Sequence, residues 1–246
     1  MDRMIYTAMS GAKHILEQQA TTANNLANIN STGFKAQIDA FRAIPVVSPG
    51  LNTRAFVVDA TVGTDFNPGP IQQTNRDMDV AVQGKGWIAV QRADGTEAYT
   101  RNGSLQLDQN GVLQTNTGLN VVGTNGPIAV PADVTISIGK DGTISSVQNT
   151  LAPGPSNIIG QLKLVNPNES NLVRATDGLF VTADGSQVDP DPNVQVLSGA
   201  LEGSNVNAVD AMVNMISTQS QFNVQMQLLK NSENNEQKAS QIFNLT

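Results

Sequence analysis

Gln18-Gln19-Ala20-Thr21-Thr22-Ala23-Asn24-Asn25-Leu26-Ala27-Asn28-Ile29-Asn30-Ser31-Thr32-Gly33-Phe34 contains no charged residue, and neither does the run from Ala211 to Leu229. Both stretches are crowded with Asn, Gln, Ser and Thr, and both carry apolar residues at helical spacing. A lone surface helix keeps Lys, Glu and Arg on its wet face, and a membrane-spanning helix cannot hold so many amides. Helices of this composition lie against protein on most sides. The two ends of the chain therefore read as contact elements, wrapped by copies or relatives of the same chain.

Working outward from the first stretch, Ile5, Ala8, Ala12, Ile15, Leu16, Ala20, Ala23 and Ala27 recur near period 3.6 and predict one helix from Met4 to about Asn30. Ser31-Thr32-Gly33 supplies the stop, with Gly33 suited to the left-handed position just past a helix end. The stripe is mostly alanine, which lets a neighbouring helix approach closely. At the other end Gly203-Ser204-Asn205 opens a second helix, with Ser204 or Asn205 as N-cap. Val206, Val209, Met212, Val213, Ile216, Phe222, Met226 and Leu229 keep its stripe, and charge returns only at Lys230, Glu233, Glu236 and Lys238. The two helices are expected to pair antiparallel, because both must leave and re-enter one central domain.

Between them the chain changes character twice. Residues 36–77 read as an extended connector with some strand, punctuated by Pro45, Pro49-Gly50 and Pro68-Gly69-Pro70. Residues 78–201 carry strand alternation with regular turns. Val80, Val82, Trp87, Ile88 and Val90 lead into Asp94-Gly95; Leu105 and Leu107 into Asn110-Gly111; Val134, Ile136 and Ile138 into Asp141-Gly142. Asp177-Gly178 and Asp184-Gly185 continue the series. The fold class is thus mixed: terminal α-helices (1–35 and 202–246) paired in one domain, and a central all-β domain of short hairpins.

Composition points to an assembly part rather than an enzyme. Only 14% of the 246 residues are charged, against a typical ~25%, and such a surface suits extensive contact. A net charge of −7 argues against nucleic acid or an anionic membrane as the main partner. With no cysteine there is no disulfide framework and no thiolate metal site. Met1 to Gly11 shows neither a basic n-region nor an apolar h-region, and no stretch reaches the ~18 consecutive apolar residues of a membrane span. The expectation is a cytoplasmic protein, or one exported without a cleavable signal peptide, and not inserted in a membrane.

The residues that could carry chemistry mostly read as structure. His14 is the single histidine and sits mid-helix, so it is packed or exposed rather than catalytic. Gly84-Lys85-Gly86 lacks the flanking residues of a phosphate loop and reads as a turn before a Trp87 strand. Asp189, Asp191 and Asn193 open like a calcium loop, but Val194 stands where Gly is needed and Ala200 where the bidentate Glu belongs. Asp77 and Asp79 could make a β module acting on carbohydrate, although a solvated pair is the plainer reading. No catalytic residue, metal or cofactor is expected.

Three segments resemble one family. Ala23 through Lys35 is similar to the N-terminal signature of flagellar axial proteins, the rod, hook and junction subunits. Asp79 to Trp87 with Ala98 to Ser104 resembles the start of the β domain of the rod and hook members, and Leu201 to Val206 with Val209, Met212 and Ile216 resembles their C-terminal signature. The length, the opening Met1 to Met9 and Ala36 to Val46 are most like rod members of the proximal segment; a distal rod paralogue is the near alternative. Trp87 stands where many relatives carry Phe, which preserves the aromatic anchor.

The resemblance implies a structural, non-enzymatic rod subunit whose terminal helices line an inner tube with the β domain outside. It implies a helical homo- and hetero-oligomeric assembly crossing the periplasm, other proximal and distal rod subunits as partners, and delivery by the flagellar type III export apparatus. The residues expected at subunit interfaces are Ala12, Ile15, Ala23, Asn24, Asn25, Leu26, Asn28, Gly33, Phe34, Asn205, Val209, Met212, Val213, Ile216, Phe222, Met226 and Leu229. The physical ground is that buried amides with partners cost less than buried charge.

Overall fold

The computed structural model describes residues 2–45, 55–131, 134–148 and 156–243. Helix α1 spans Asp2–Ala27 and α2 spans Ala208–Phe243, with a multi-strand β region between them. α1 stops three residues before the expected Asn30. Its end tightens there: the Asn28 N–H is shared between the carbonyls of Asn24 and Asn25, and the Ile29 N–H reaches Leu26. The N-cap of α2 is Asn207, whose side-chain oxygen accepts from the Val209 N–H at 3.0 Å. Ser204 and Asn205 do not cap it, because Ser204 is buried and Asn205 is bonded to the backbone of Phe34 and Asn67.

The chain forms two compact units. The first holds residues 1–29, 36–65 and 206–246. Besides the helices it contains the antiparallel hairpin of β1, Gln37–Pro45, and β2, Ala55–Thr64. Much of the stretch read as a connector is therefore ordered strand, while its Pro49-Gly50 lies outside the described residues. α1 holds the hairpin through polar contacts. The Asn25 amide donates to the Gln37 carbonyl and accepts from the Gln37 N–H, and the Thr21 hydroxyl donates to Asp39 at 2.9 Å. His14 stands edge-on to Phe41 with ring centroids 5.8 Å apart.

The second unit holds residues 30–35 and 66–205. Its strands are β3 (Ile71–Gln73), β4 (Val80–Gln83), β5 (Trp87–Gln91), β6 (Glu97–Thr100), β7 (Leu105–Leu107), β8 (Leu113–Thr115) and β9 (Asn120–Gly123). They continue as β10 (Gly126–Pro127), β11 (Val134–Ile138), β12 (Thr143–Gln148), β13 (Asn157–Gln161), β14 (Leu164–Val165), β15 (Leu172–Arg174), β16 (Phe180–Thr182), β17 (Gln195–Ser198) and β18 (Ala200–Glu202). The main sheet runs β15-β16-β6-β5-β9-β8-β7, with β10 on β9 and β14 on β5. Beside it stand the sheet β11-β12-β13 and the pairs β17-β4 and β18-β3, all antiparallel.

The turns that the sequence marked are where the strands reverse. At Asp94-Gly95 and Asp141-Gly142 glycine takes φ +83° and +79°, a region that L side chains rarely enter. The preceding aspartate accepts both the N–H and the hydroxyl of the threonine two residues on, Thr96 or Thr143. Those hydrogen bonds, the threonine hydroxyl's first, hold both carboxyls below the usual carboxylate range. Asp184-Gly185 differs: it turns β16 into irregular chain rather than into a new strand.

Two apolar clusters fill this unit. One joins Val80, Val90, Leu105, Leu113, Ile136, Ile144 and Leu162 across the sheets. The other gathers Trp87, Tyr99, Val165 and Phe180, with Phe66 edge-on to Trp87 at 5.9 Å. Alternation is legible in β11, where Ile136 and Ile138 face inward and Thr135 and Ser137 outward.

Candidate assembly surface

Helix α2 has two apolar faces. Ala211, Met215, Thr218, Phe222, Gln225, Leu229 and Ser232, spaced alternately four and three apart, are all buried or half-buried. On α1 the series Ile5, Ala8, Ala12, Ile15, Gln19, Thr22 and Leu26 has the same spacing and the same shielding. Contacts between the two helices include Gln19 Nε2 donating to Gln219 Oε1 at 3.1 Å, and Gly11, where an added Cβ would lie 3.4 Å from the Gln225 amide. A small residue at Gly11 keeps that approach open.

Opposite this seam, Val209, Met212, Val213 and Ile216 are exposed, Ile216 at 71%. At 100° per residue, Val209, Val213, Ile216 and Val224 fall within an arc of about 80°. No charge interrupts α2 between Asp210 and Lys230. Ser220 and Gln227 share that arc, so the face is apolar at Val209, Val213, Ile216 and Val224 and amide or hydroxyl between them, groups that cost less than a charge, several kcal/mol, to cover with protein.

The interface residues expected from sequence thus fall into three groups. Val209, Met212, Val213, Ile216 and Met226 are exposed on α2, and Ala23 and Asn24 are exposed on α1. Ala12, Ile15, Leu26, Phe222 and Leu229 lie along the shielded seams, while Asn25 is taken up by Gln37 and the Asn28 amide donates to the Asn24 carbonyl. Gly33, Phe34 and Asn205 belong to the β unit. The Gly33 N–H donates to the Glu202 carbonyl at 2.8 Å, and the Phe34 ring lies under the Arg174 guanidinium at 4.4 Å. Gly33 has φ +68° but stands six residues beyond the end of α1. It shapes the link into the β unit rather than capping the helix.

Sequence reasoning missed two things. Val224 and Leu228 extend the exposed face of α2, and their spacing from Ile216 was the signal. It also missed Glu202, whose carboxylate is 1% exposed and takes Lys35 Nζ at 2.7 Å on Oε1 and Arg101 Nη1 at 2.8 Å on Oε2. Nothing local announces that meeting, since its partners are 167 and 101 residues away. Asp79 also departs from the solvated pair expected with Asp77. Asp77 is exposed in a turn, but Asp79, bridged to Ser104 just before β4, is 3% exposed and paired with Arg76 at 3.4 Å.

Among the described residues no cluster of His, Asp and Glu could hold a metal ion, and no helix is long and apolar enough to cross a membrane. Asp191 folds its carboxylate onto the Asn193 N–H and amide, as a loop does. His14 is a packed residue with Nδ1 3.0 Å from Glu17.

Comparison with known proteins decides what this surface belongs to. Residues 5–35 match the family model "Flagella basal body rod protein", 81–146 "Flagellar hook protein FlgE/F/G D1 domain" and 197–242 "Flagellar basal body rod FlgEFG protein C-terminal". The flagellar basal-body rod protein FlgF of Escherichia coli strain K12 is 46% identical over the full length of both chains, and that of Salmonella typhimurium is 44% identical over the same extent. The chain belongs to the FlgF family of flagellar basal-body rod proteins. FlgG of Buchnera aphidicola from Schizaphis graminum is further away, 34% identical over 89% of this chain and 92% of its own. As an FlgF-family member the chain is a structural component of the flagellar basal body and not an enzyme. The carbohydrate-cleaving alternative falls with that assignment. The two terminal matches take in nearly all of α1 and α2, so the exposed face of α2 lies within a segment that the rod family models describe.

Proposed function

We propose that this chain polymerises through its terminal helices into the proximal part of a flagellar rod, a shaft that transmits torque and encloses an export channel. The observation that carries the reading is the exposed face of α2 that bears Met212, Val213, Ile216, Val224 and Leu228 and holds no charged residue from Ala211 to Leu229. In this reading α1 and α2 pair as the inner-tube domain along the Ala12 and Thr218 seams. The face bearing Val209, Val213 and Ile216 is then covered by helices of neighbouring subunits. Heterologous contacts that do not close on themselves produce a helical filament, and they let one surface take either a copy or a paralogue. The partners are other proximal and distal rod subunits, the site is the rod crossing the periplasm, and delivery is by the type III export apparatus.

Replacing Ile216 with Asp tests this. At 71% exposure the substitution costs the isolated chain little, within about 1 kcal/mol in urea unfolding, since exposed positions tolerate change. Cells carrying it are expected not to spread in soft agar. Wild-type spreading with the variant incorporated into basal bodies would refute the buried-face reading.

A further inference from the structure

The division into two units means that the chain crosses between them at 29/30, 35/36, 65/66 and 205/206, which is four crossings. Within the β unit Gly33, Lys35 and Gly69 gather on one residue, Glu202, and Asn205 joins them through Asn67 and Phe34. Its Oε1 accepts from Lys35 Nζ at 2.7 Å and from the Gly69 N–H at 2.9 Å, and its Oε2 accepts from Arg101 Nη1 at 2.8 Å. Its backbone carbonyl accepts the Gly33 N–H at 2.8 Å. Secondary bonds close the ring. Lys35 Nζ also donates to the Asn67 carbonyl, the Asn205 side chain donates to the same carbonyl, and the Asn205 N–H reaches the Phe34 carbonyl. Arg101 is fixed from behind by the carbonyls of Val82 and Gly84 at 3.3 and 2.6 Å.

Lys35, Arg101 and Glu202 are 1%, 4% and 1% exposed. A buried ion network of this kind is weak evidence for stability, because an apolar cluster of the same volume would serve as well. Its value lies in specifying geometry. Each charge is uncompensated unless the others are in place, so the three segments that carry them are held together or released together.

We propose that Glu202 is a clamp that holds residues 33–35, 67–69 and 202–205, where the chain enters and leaves the β unit, as a single cooperative joint that opens and closes as one. Its use as a mechanical joint rests on the rod reading. Its existence does not, because every group in it lies in one unit of one chain.

Glu202→Gln is the test. An amide has one acceptor oxygen and two N–H donors, so it cannot serve Lys35, Gly69 and Arg101 at once. In native-state hydrogen exchange on the full-length monomer, the amides of Gly33, Gly69 and Asn205 are expected to speed up together, by about tenfold or more. The core amides of Val90, Leu113 and Ile144 should hold. Acceleration confined to Gly69, the only one of the three bonded to the carboxylate itself, would overturn the clamp. Should Glu202→Gln melt the whole unit, Gly33→Ala enters the same joint without touching charge. An added Cβ there would stand 2.3 Å from the Arg101 carbonyl carbon. A joint response at Gly69 and Asn205 is expected, and an effect limited to residues 31–35 would equally refute cooperativity. Failure of Ile216→Asp to block spreading would leave these results untouched.

Discussion

Tyr99 carries a polar atom into the second apolar cluster and pays for it with one bond. Its ring is 1% exposed, and its hydroxyl oxygen accepts the Val188 N–H at 3.0 Å. Burial raises its pKa to about 12 from the ordinary 10.0. The folded value lies above the unfolded one, so as pH climbs past 10 the unfolded chain gives up its proton first. Stability that is fully present below that pH is then lost on the alkaline side. Tyr99→Phe is expected to remove this alkaline loss while costing about 1 kcal/mol at pH 7, the worth of one hydrogen bond. Urea unfolding at pH 7 and pH 10.5 checks both. An unchanged difference between the two pH values would place the alkaline sensitivity elsewhere. Legibility at this scale followed range. The Asp94-Gly95-Thr96 and Asp141-Gly142-Thr143 turns were readable because donor and acceptor are two residues apart. Glu202 was not, because no window of the sequence contains it together with Lys35 and Arg101.

At the scale of elements, period decided what could be seen. Alternation located β11, where one face is buried and the other wet, whereas β5, buried continuously from Trp87 to Val90, showed as an unbroken apolar run bounded by turns. Alternation could not foresee β1 as clearly, because Ile38 and Phe41, its large apolar residues between Gln37 and Arg42, are both exposed. Helical period found α1 and α2, but a single stripe was read where α2 has two. The seam of Ala211, Met215, Thr218, Phe222, Gln225 and Leu229 mixes small and amide residues with its apolar ones and hides among the amides, while the second face, with Val209, Val213 and Ile216, points outward. Neighbouring strands β12 and β13 allow a direct contrast. Ile144 is fully buried in the main cluster, whereas Ile158 is 76% exposed. Ile144→Ala is expected to cost about 2–5 kcal/mol through lost burial and the cavity left behind. Ile158→Ala should stay within about 0.5 kcal/mol. Chemical unfolding of the two variants compares them, and equal losses would mean that β13 is not an exposed edge.

At the scale of the whole molecule, the apolar core is unevenly shared. In the helix-hairpin unit, among the residues whose burial is described, which leave out most of the β1-β2 hairpin, Ala12, Ala211 and Thr218 are the buried ones, while the β unit owns both clusters. Burial contributes roughly 25 cal/mol per Å² of apolar surface, and helices gain most of their stability from such packing rather than from propensity. The helix seam draws on half-buried side chains such as Ile15, Met215, Phe222 and Leu229 mixed with Ala, Thr and Gln, and buries them less completely than the β unit buries its clusters, so the isolated chain is expected to melt in two steps. The helical signal at 222 nm should fall first and gradually. The near-ultraviolet signal of Trp87 should then fall in one sharp step at higher temperature, since that ring lies in the second cluster at 3% exposure. Ile216→Asp should leave both steps nearly in place, because the face it alters is empty in the monomer. Coincident transitions by the two probes would show a single cooperative unit. The helices would then already be stabilised within the chain, and neighbouring subunits would not be needed to order them.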